Sequence, residues 1–177
     1  LVQRLAIATP FVAASGASVY GAFVGRHDLV LEEIAVRIPG LSPELDGYRV
    51  VQLSDLHFGL FTGDADARAM VALVRRARPD LVVITGDLVD NHLAHAPDVG
   101  RLVRALERLR ARDGVVVIGG NHDYYAGIEG VLDAARRAGA RTLRNEGVVI
   151  GGERGFALLG LDDHAGRRFG WGPAPDL

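Results

Sequence analysis

Hydrophobic residues fall along this chain in three successive patterns. From Leu5 to Gly25 no charge interrupts the run, and Arg4 and Arg26 bracket it. That length matches the roughly 20 residues that cross a bilayer core as a helix, although Ala, Gly and Ser fill much of the stretch and Pro10 stands near its start. Three readings stay open: a membrane anchor, a secretory signal with small residues at Ser15-Gly16-Ala17, or a buried Ala-rich helix. Next, Ile34, Val36 and Ile38 alternate with smaller or polar residues, which predicts a half-buried strand ended by Pro39-Gly40. Then one design occurs three times. Apolar runs at Arg49–Leu53, Leu81–Ile84 and Val115–Ile118 read as strands, each followed by a polar loop and an amphipathic helix. The helix faces are Ala67, Met70, Val71, Val74 and Ala77; Val99, Leu102, Val103, Leu106 and Leu109; and Ile128, Val131, Leu132 and Ala135. Continuously apolar strands alternating with such helices predict an α/β fold whose sheet is at least partly parallel and covered on both faces. Val148–Ile150 and Phe156–Leu161 are two further strand candidates, with Gly151-Gly152 as the turn between them. The expected organisation is an apolar anchor or signal segment at 1–26 and a domain at 27–177.

Composition narrows the chemistry. The 177 residues carry 20 basic against 22 acidic side chains, a net charge of −2, and every basic residue is Arg. The absence of Cys excludes disulfides, thiol nucleophiles and sulfur-ligated metal centres, and the absence of Lys excludes Schiff-base chemistry. The near-neutral balance argues against a nucleic-acid partner, because phosphate contacts need a basic surplus. The Arg-rich stretches Arg75–Arg78 and Arg101–Arg112 read as solvated outer helix faces.

Chemistry-bearing residues gather where each apolar strand ends. The first runs into Ser54-Asp55-Leu56-His57, the second into Thr85-Gly86-Asp87-Leu88-Val89-Asp90, and the third into Gly119-Gly120-Asn121-His122-Asp123. The carboxyl ends of the strands are where sites form in an open α/β sheet, so the three clusters are expected to converge on one crevice. Asp55 and His57, two residues apart, project to one side if the segment is extended, and form a chelating pair. Asp87 follows a glycine that permits close backbone approach, and its carboxylate has two oxygens able to bridge two ions. Asn121 offers a neutral amide oxygen. Such a nitrogen and oxygen donor set without sulfur suits Mn, Fe or Zn better than Ca. Two divalent ions offset by two carboxylates keep a positive charge that attracts a phosphate. His27, His92 and His95 read as solvated, and Asp90 either orients a ligand or caps a helix.

These blocks resemble the calcineurin-like metallophosphoesterase family. Asp55-Leu56-His57 matches its D-x-H block, Gly86–Asp90 its G-D-x-x-[DE] block, and Gly120–Asp123 its G-N-H-[DE] block, in order and at matching spacing. The wording Gln52–Gly59 and Gly120–Tyr125, with the apolar amino end, looks closer still to the membrane-attached bacterial branch, similar to transmembrane proteins with a metallophosphoesterase domain. The resemblance implies a four-layer αββα sandwich, two divalent metal ions, and hydrolysis of a phosphodiester, phosphomonoester or lipid-linked pyrophosphate by two-metal activation of water. It implies that Asp55 and His57 bind one metal, that Asp87 bridges both, and that Asn121 binds the second. His122 would protonate the leaving oxygen, with Asp123 holding its ring. The partners it implies are a phosphate-ester substrate, a lipid-linked one included, and a membrane reached through the amino-terminal segment, on a side the flanking arginines do not specify.

Part of the pattern is missing. The family supplies three more histidines downstream, two of them in a G-H-x-H block, and His164 in Leu161-Asp162-Asp163-His164 lacks that context. The expectation is therefore a domain incomplete at its carboxyl end. The rival reading is a phosphate-binding or regulatory relative that lacks full metal ligation.

Overall fold

The computed structural model describes residues 29–59, 62–90, 98–173 and 175–176. The chain divides into two units, Leu1–Ile34 and Ala35–Leu177, and every element below belongs to the second. Four parallel strands form the central sheet: β1 (Val50–Leu53), β2 (Leu81–Thr85), β3 (Val115–Ile118) and β4 (Arg141–Thr142), in the order β1-β2-β3-β4. The register sets Val50 opposite Leu81, Val82 opposite Val115 and Val116 opposite Arg141. The connections carry α1 (Asp64–Ala77), α2 (Val99–Leu106), and the consecutive pair α3 (Asn121–Ala126) and α4 (Ile128–Arg137). Crossovers between neighbouring parallel strands are right-handed as a rule, which places their helices on one face, and α1, α2 and α4 do share one core against the sheet. A hairpin of β5 (Glu146–Ile150) and β6 (Phe156–Gly160) follows, then α5 (His164–Phe169).

Period-two alternation along β2 and β3 divides the core. Val82, Ile84 and Val117 pack with Met70, Val74, Leu102, Leu106, Val131 and Leu132 of the helices. Leu81, Val83, Val116 and Ile118 point the other way and pack with Val148, Ile150, Phe156 and Leu158 of the hairpin. A strand buried on both faces has no polar side to display, which is why its sequence is continuously apolar. Gly160 packs so tightly here that a Cβ would stand 2.3 Å from the Leu143 Cβ and 3.0 Å from an Ile118 methyl. Helices, parallel sheet and hairpin thus stack in three layers, and both faces of the sheet are covered as the sequence predicts.

Local signals set the helix ends. The Asp66 carboxylate accepts from the Gly63 N–H at 2.7 Å, and Arg78 closes α1 in the left-handed region just before Pro79. Asp98 caps α2 by accepting from the Arg101 N–H at 2.8 Å. The helix expected to reach Leu109 ends as a regular element at Leu106, but Leu109 stays buried in the turn that follows. The strand expected at Ile34–Ile38 does not form: those side chains are exposed, and no strand pairs with them among the described residues. Alternation without a neighbour supplies no ladder. β4 was not foreseen, since two residues are too few for a periodic signal. The apolar segment at 1–26, His27, His92 and His95 lie outside the described residues, and no described helix is long and apolar enough to cross a membrane.

Candidate functional site

Beyond β1 and β2 the two chains continue side by side as loops. Asp55 N donates to Gly86 O at 3.2 Å, His57 N to Asp87 O at 2.9 Å, Phe58 N to Leu88 O at 3.0 Å, and Asp90 N to Phe58 O at 3.1 Å. Phe58, Leu88 and Val89 anchor this pairing in the core, each at most 1% exposed. The loop is not extended as the sequence reading supposed. Asp55, His57 and Asp87 all adopt positive φ, at 55°, 43° and 53°. Such a conformation is unfavourable for residues with a Cβ, and clusters of it persist where the surrounding structure enforces a functional geometry.

The third loop is locked to the second at backbone level. A Cβ on Gly86 would stand 2.7 Å from the Gly120 Cα, and one on Gly120 would stand 2.3 Å from an Asp87 carboxylate oxygen. Only glycines allow this approach, as the Gly86-Asp87 sequence suggests. Asp87 Oδ1 accepts from the His122 N–H at 3.0 Å. Asp123 then ties all of it together, accepting from the N–H groups of Leu88 (2.9 Å), Val89 (3.1 Å) and Gly120 (2.9 Å). It is fully buried, and burial pushes its carboxyl up to about 6 against the opposing pull of those three donors.

Through these constraints the three strand ends converge. Donor atoms of His57, Asp87 and His122 all lie within 4.8 Å of one another. His57 Nε2 is 3.7 Å from Asp55 Oδ1 and 3.7 Å from Asp87 Oδ2. The His57 and His122 rings meet edge to face at 4.6 Å. Asn121 opens α3 between Gly120 and His122. His57, Asp87 and His122 are therefore brought together with Asp55 beside them, whereas His164 is exposed at the start of α5 and outside this group.

One expected role moves to another residue. Asp123 does not hold the His122 ring, because its oxygens are taken by backbone donors. The ring nitrogen Nδ1 lies 3.3 Å from Asp90 Oδ1 instead. Adjacent residues on a helix diverge by about 100° around its axis, so neighbours in sequence cannot face each other there. Arg101 is the residue that the sequence reading missed. Read as part of a solvated face, it turns inward, and its guanidinium donates to Gly59 O at 2.9 Å and Thr62 O at 3.1 Å, clasping the loop that follows His57. Its position on the loop-facing side of α2, one helical turn after the cap Asp98, is a weak signal that could have found it.

Nitrogen and carboxylate donors converging from three loops, with no sulfur, form a set suited to Mn, Fe or Zn. Comparison with known proteins points to a metallophosphoesterase family. The family model described as calcineurin-like phosphoesterase matches residues 48–170. An uncharacterised metallophosphoesterase of Aquifex aeolicus is 32% identical over 123 residues, covering 70% of this chain and 45% of the relative. A zebrafish (Danio rerio) protein named transmembrane protein with metallophosphoesterase domain is 32% identical over 154 residues, 82% of this chain and 34% of its own length. A UDP-2,3-diacylglucosamine pyrophosphatase of Chlamydia muridarum is 32% identical over 120 residues, 66% of this chain and 36% of the relative. The chain spans between about a third and a half of the length of these relatives. No solved structure matches it.

Proposed function

Because the chain belongs to the calcineurin-like phosphoesterase family, we propose that its three-loop crevice binds two divalent metal ions and takes part in hydrolysing a phosphoester. The observation that carries this reading is the meeting of His57, Asp87 and His122 donor atoms within 4.8 Å. Asp55 and His57 would hold one ion and Asn121 the other, and the Asp87 carboxylate would contribute to both. When bound, such ions polarise the phosphoryl group and ready a water for in-line attack. The backbone locks described above keep the donors from relaxing apart, so their geometry is set before any ligand arrives. His122 works from the leaving side: Asp90 holds its Nδ1, which leaves Nε2 to hand a proton to the departing oxygen. The names of the zebrafish and Chlamydia relatives support a substrate at a membrane, and a diester or lipid-linked pyrophosphate fits that setting.

The test uses an Asp87→Asn variant, which keeps an oxygen to accept from the His122 N–H but removes the charge. Bound Mn and hydrolysis of an activated aryl phosphodiester should fall together, turnover by about 100-fold or more. Unchanged turnover overturns the assignment. In His122→Ala, metal should be retained while turnover falls by about 10²–10⁴, most severely with a poor leaving group. Loss of metal in that variant would make the imidazole a ligand rather than an acid.

A further inference from the structure

Beside His122 lies a cluster of aromatic rings that the proposed chemistry does not use. Tyr125 meets the His122 ring edge to face at 5.6 Å. Phe169 and Trp171 each meet Tyr125 at 5.9 Å. Phe169 and Trp171 are stacked on each other at 4.8 Å with 26° between their planes, and the Arg168 guanidinium lies 5.5 Å from the Phe169 ring centre. Although they touch one another, Tyr125, Phe169 and Trp171 stay 41%, 43% and 50% exposed.

The cluster is held by the backbone beneath it. Trp171 N and Gly172 N both donate to Gly166 O, at 2.8 and 3.0 Å. A Cβ on either Gly166 or Gly172 would stand 2.6 Å from the Tyr124 hydroxyl. That hydroxyl donates to the buried Asp162 at 2.7 Å and accepts from Arg144 at 2.7 Å. Trp171 is thus positioned by main-chain bonds and a buried polar network rather than by burial of its own ring.

From these contacts we infer that Tyr125, Phe169 and Trp171 form a stacking platform for a planar aromatic group on the leaving side of the phosphoester. This rests on the phosphoesterase reading, in which His122 protonates the leaving oxygen: whatever that oxygen carries departs from the imidazole, and Tyr125 is the ring packed against it. Half-exposed aromatic rings beside the reacting group suit a flat π system, which can stack on an open ring face.

Trp171 is the sole tryptophan of the chain, so its emission reports on the platform directly. The full chain is titrated with adenosine monophosphate, n-hexyl phosphate and inorganic phosphate, with Mn present and again in chelator. Saturable quenching by adenosine monophosphate is expected, with none from the other two. Tyr125→Leu and Phe169→Leu, which keep apolar volume but remove a ring, should each weaken adenosine monophosphate binding about tenfold. An equal response to hexyl phosphate would mean a surface for acyl chains and overturns the inference. So does an unresponsive Trp171 in both conditions, or an emission that shifts with protein concentration alone, the mark of self-association. Quenching without hydrolysis of any phosphoester leaves the platform standing and removes the catalytic reading. Hydrolysis with an unresponsive Trp171 does the reverse.

Discussion

Two carboxylates are buried in the described part of this molecule, and they are satisfied in opposite ways. Asp123, beneath the cluster of His57, Asp87 and His122, accepts from neutral backbone N–H groups. Asp162, beneath the aromatic platform, accepts from the Arg144 guanidinium at 2.6 Å and from the Tyr124 hydroxyl, while the Asn145 amide oxygen accepts from its own N–H at 2.8 Å. Dipoles alone do not replace the hydration of an anion, so burial holds the Asp123 carboxyl up at about 6. At the second site the guanidinium supplies the countercharge, and the groups pushed upward are the partners: Tyr124 to about 12, mainly by burial and then by its bond to Asp162, and Arg144 above its ordinary range, where burial pulls it down but its hydrogen bonds to Asp162, Tyr124 and Glu129 together outweigh that pull. The first carboxylate ties loops together and loses its contribution as pH rises through about 6; the second anchors a surface whose Tyr124 phenol gives up its proton only in alkali.

The strongest way to break this comparison is Asp123→Ala. It leaves three buried N–H groups without an acceptor at about 1–2 kcal/mol each, so a loss of about 3–6 kcal/mol is expected in urea unfolding. Metal affinity should fall with it, because the loops from β2 and β3 lose their common tie. A cost below about 1 kcal/mol would mean that Asp123 is not what joins them. Asp162→Ala comes next, at about 2–4 kcal/mol, since Arg144 loses its buried partner but keeps Glu129. Here Trp171 emission should shift to the red as the platform loosens, while Mn binding stays near the parent value. Equal loss of metal in the two variants would erase the distinction between the sites.

Titration sharpens the same contrast with a smaller effect. Asp123 has a folded-state value near 6 against 3.8 when unfolded. The stability its neutral form contributes is therefore complete below pH 3.8 and is lost as pH rises through about 6. At about 1.4 kcal/mol per unit the change is of order 2–3 kcal/mol. Comparing unfolding of the parent with Asp123→Asn between pH 4 and 7 isolates it. A parent curve parallel to that of the Asn variant would show that the carboxyl does not titrate in this window.

How far the sequence could be read follows the same division. β2 and β3 were legible because burial on both faces leaves a continuous apolar run, and the helices because one face repeats at helical spacing. The meeting of His57, Asp87 and His122 was legible because each follows a strand end, so chain direction alone brings them near one another. What sequence could not give was orientation within the loops. The positive φ of Asp55, His57 and Asp87 is imposed by backbone bonds between loops about 30 residues apart, and no local pattern encodes it. For the same reason Asp123 was assigned to the ring beside it, when helix geometry turns it into the core and Asp90 approaches that ring from another loop. Asp162 and Asp163 are adjacent in sequence, and no local pattern tells them apart. The structure separates them: the first is buried with Arg144, and the second caps α5 by accepting from the Ala165 N–H at 2.7 Å.

The smallest effect tests the platform's anchor most selectively. Tyr124→Phe removes one hydroxyl from the Asp162 network but keeps the ring that Arg144 overlies at 5.5 Å. Asp162 retains Arg144 and the Asp163 N–H, so only about 1 kcal/mol should be lost near neutral pH. The decisive difference lies in alkali. In the parent, the stability contributed by the protonated phenol is complete below pH 10 and lost as pH rises through about 12. Phenylalanine cannot ionise, so the variant's stability should decline less steeply across that window, and the two curves should converge or cross. Thermal unfolding from pH 7 to 11.5, with Trp171 emission as the local probe, measures both parts. Parallel curves would mean that the Tyr124 proton is not held by Asp162, and that the platform is anchored by Arg144 and the close-packed Gly166 and Gly172 backbone alone.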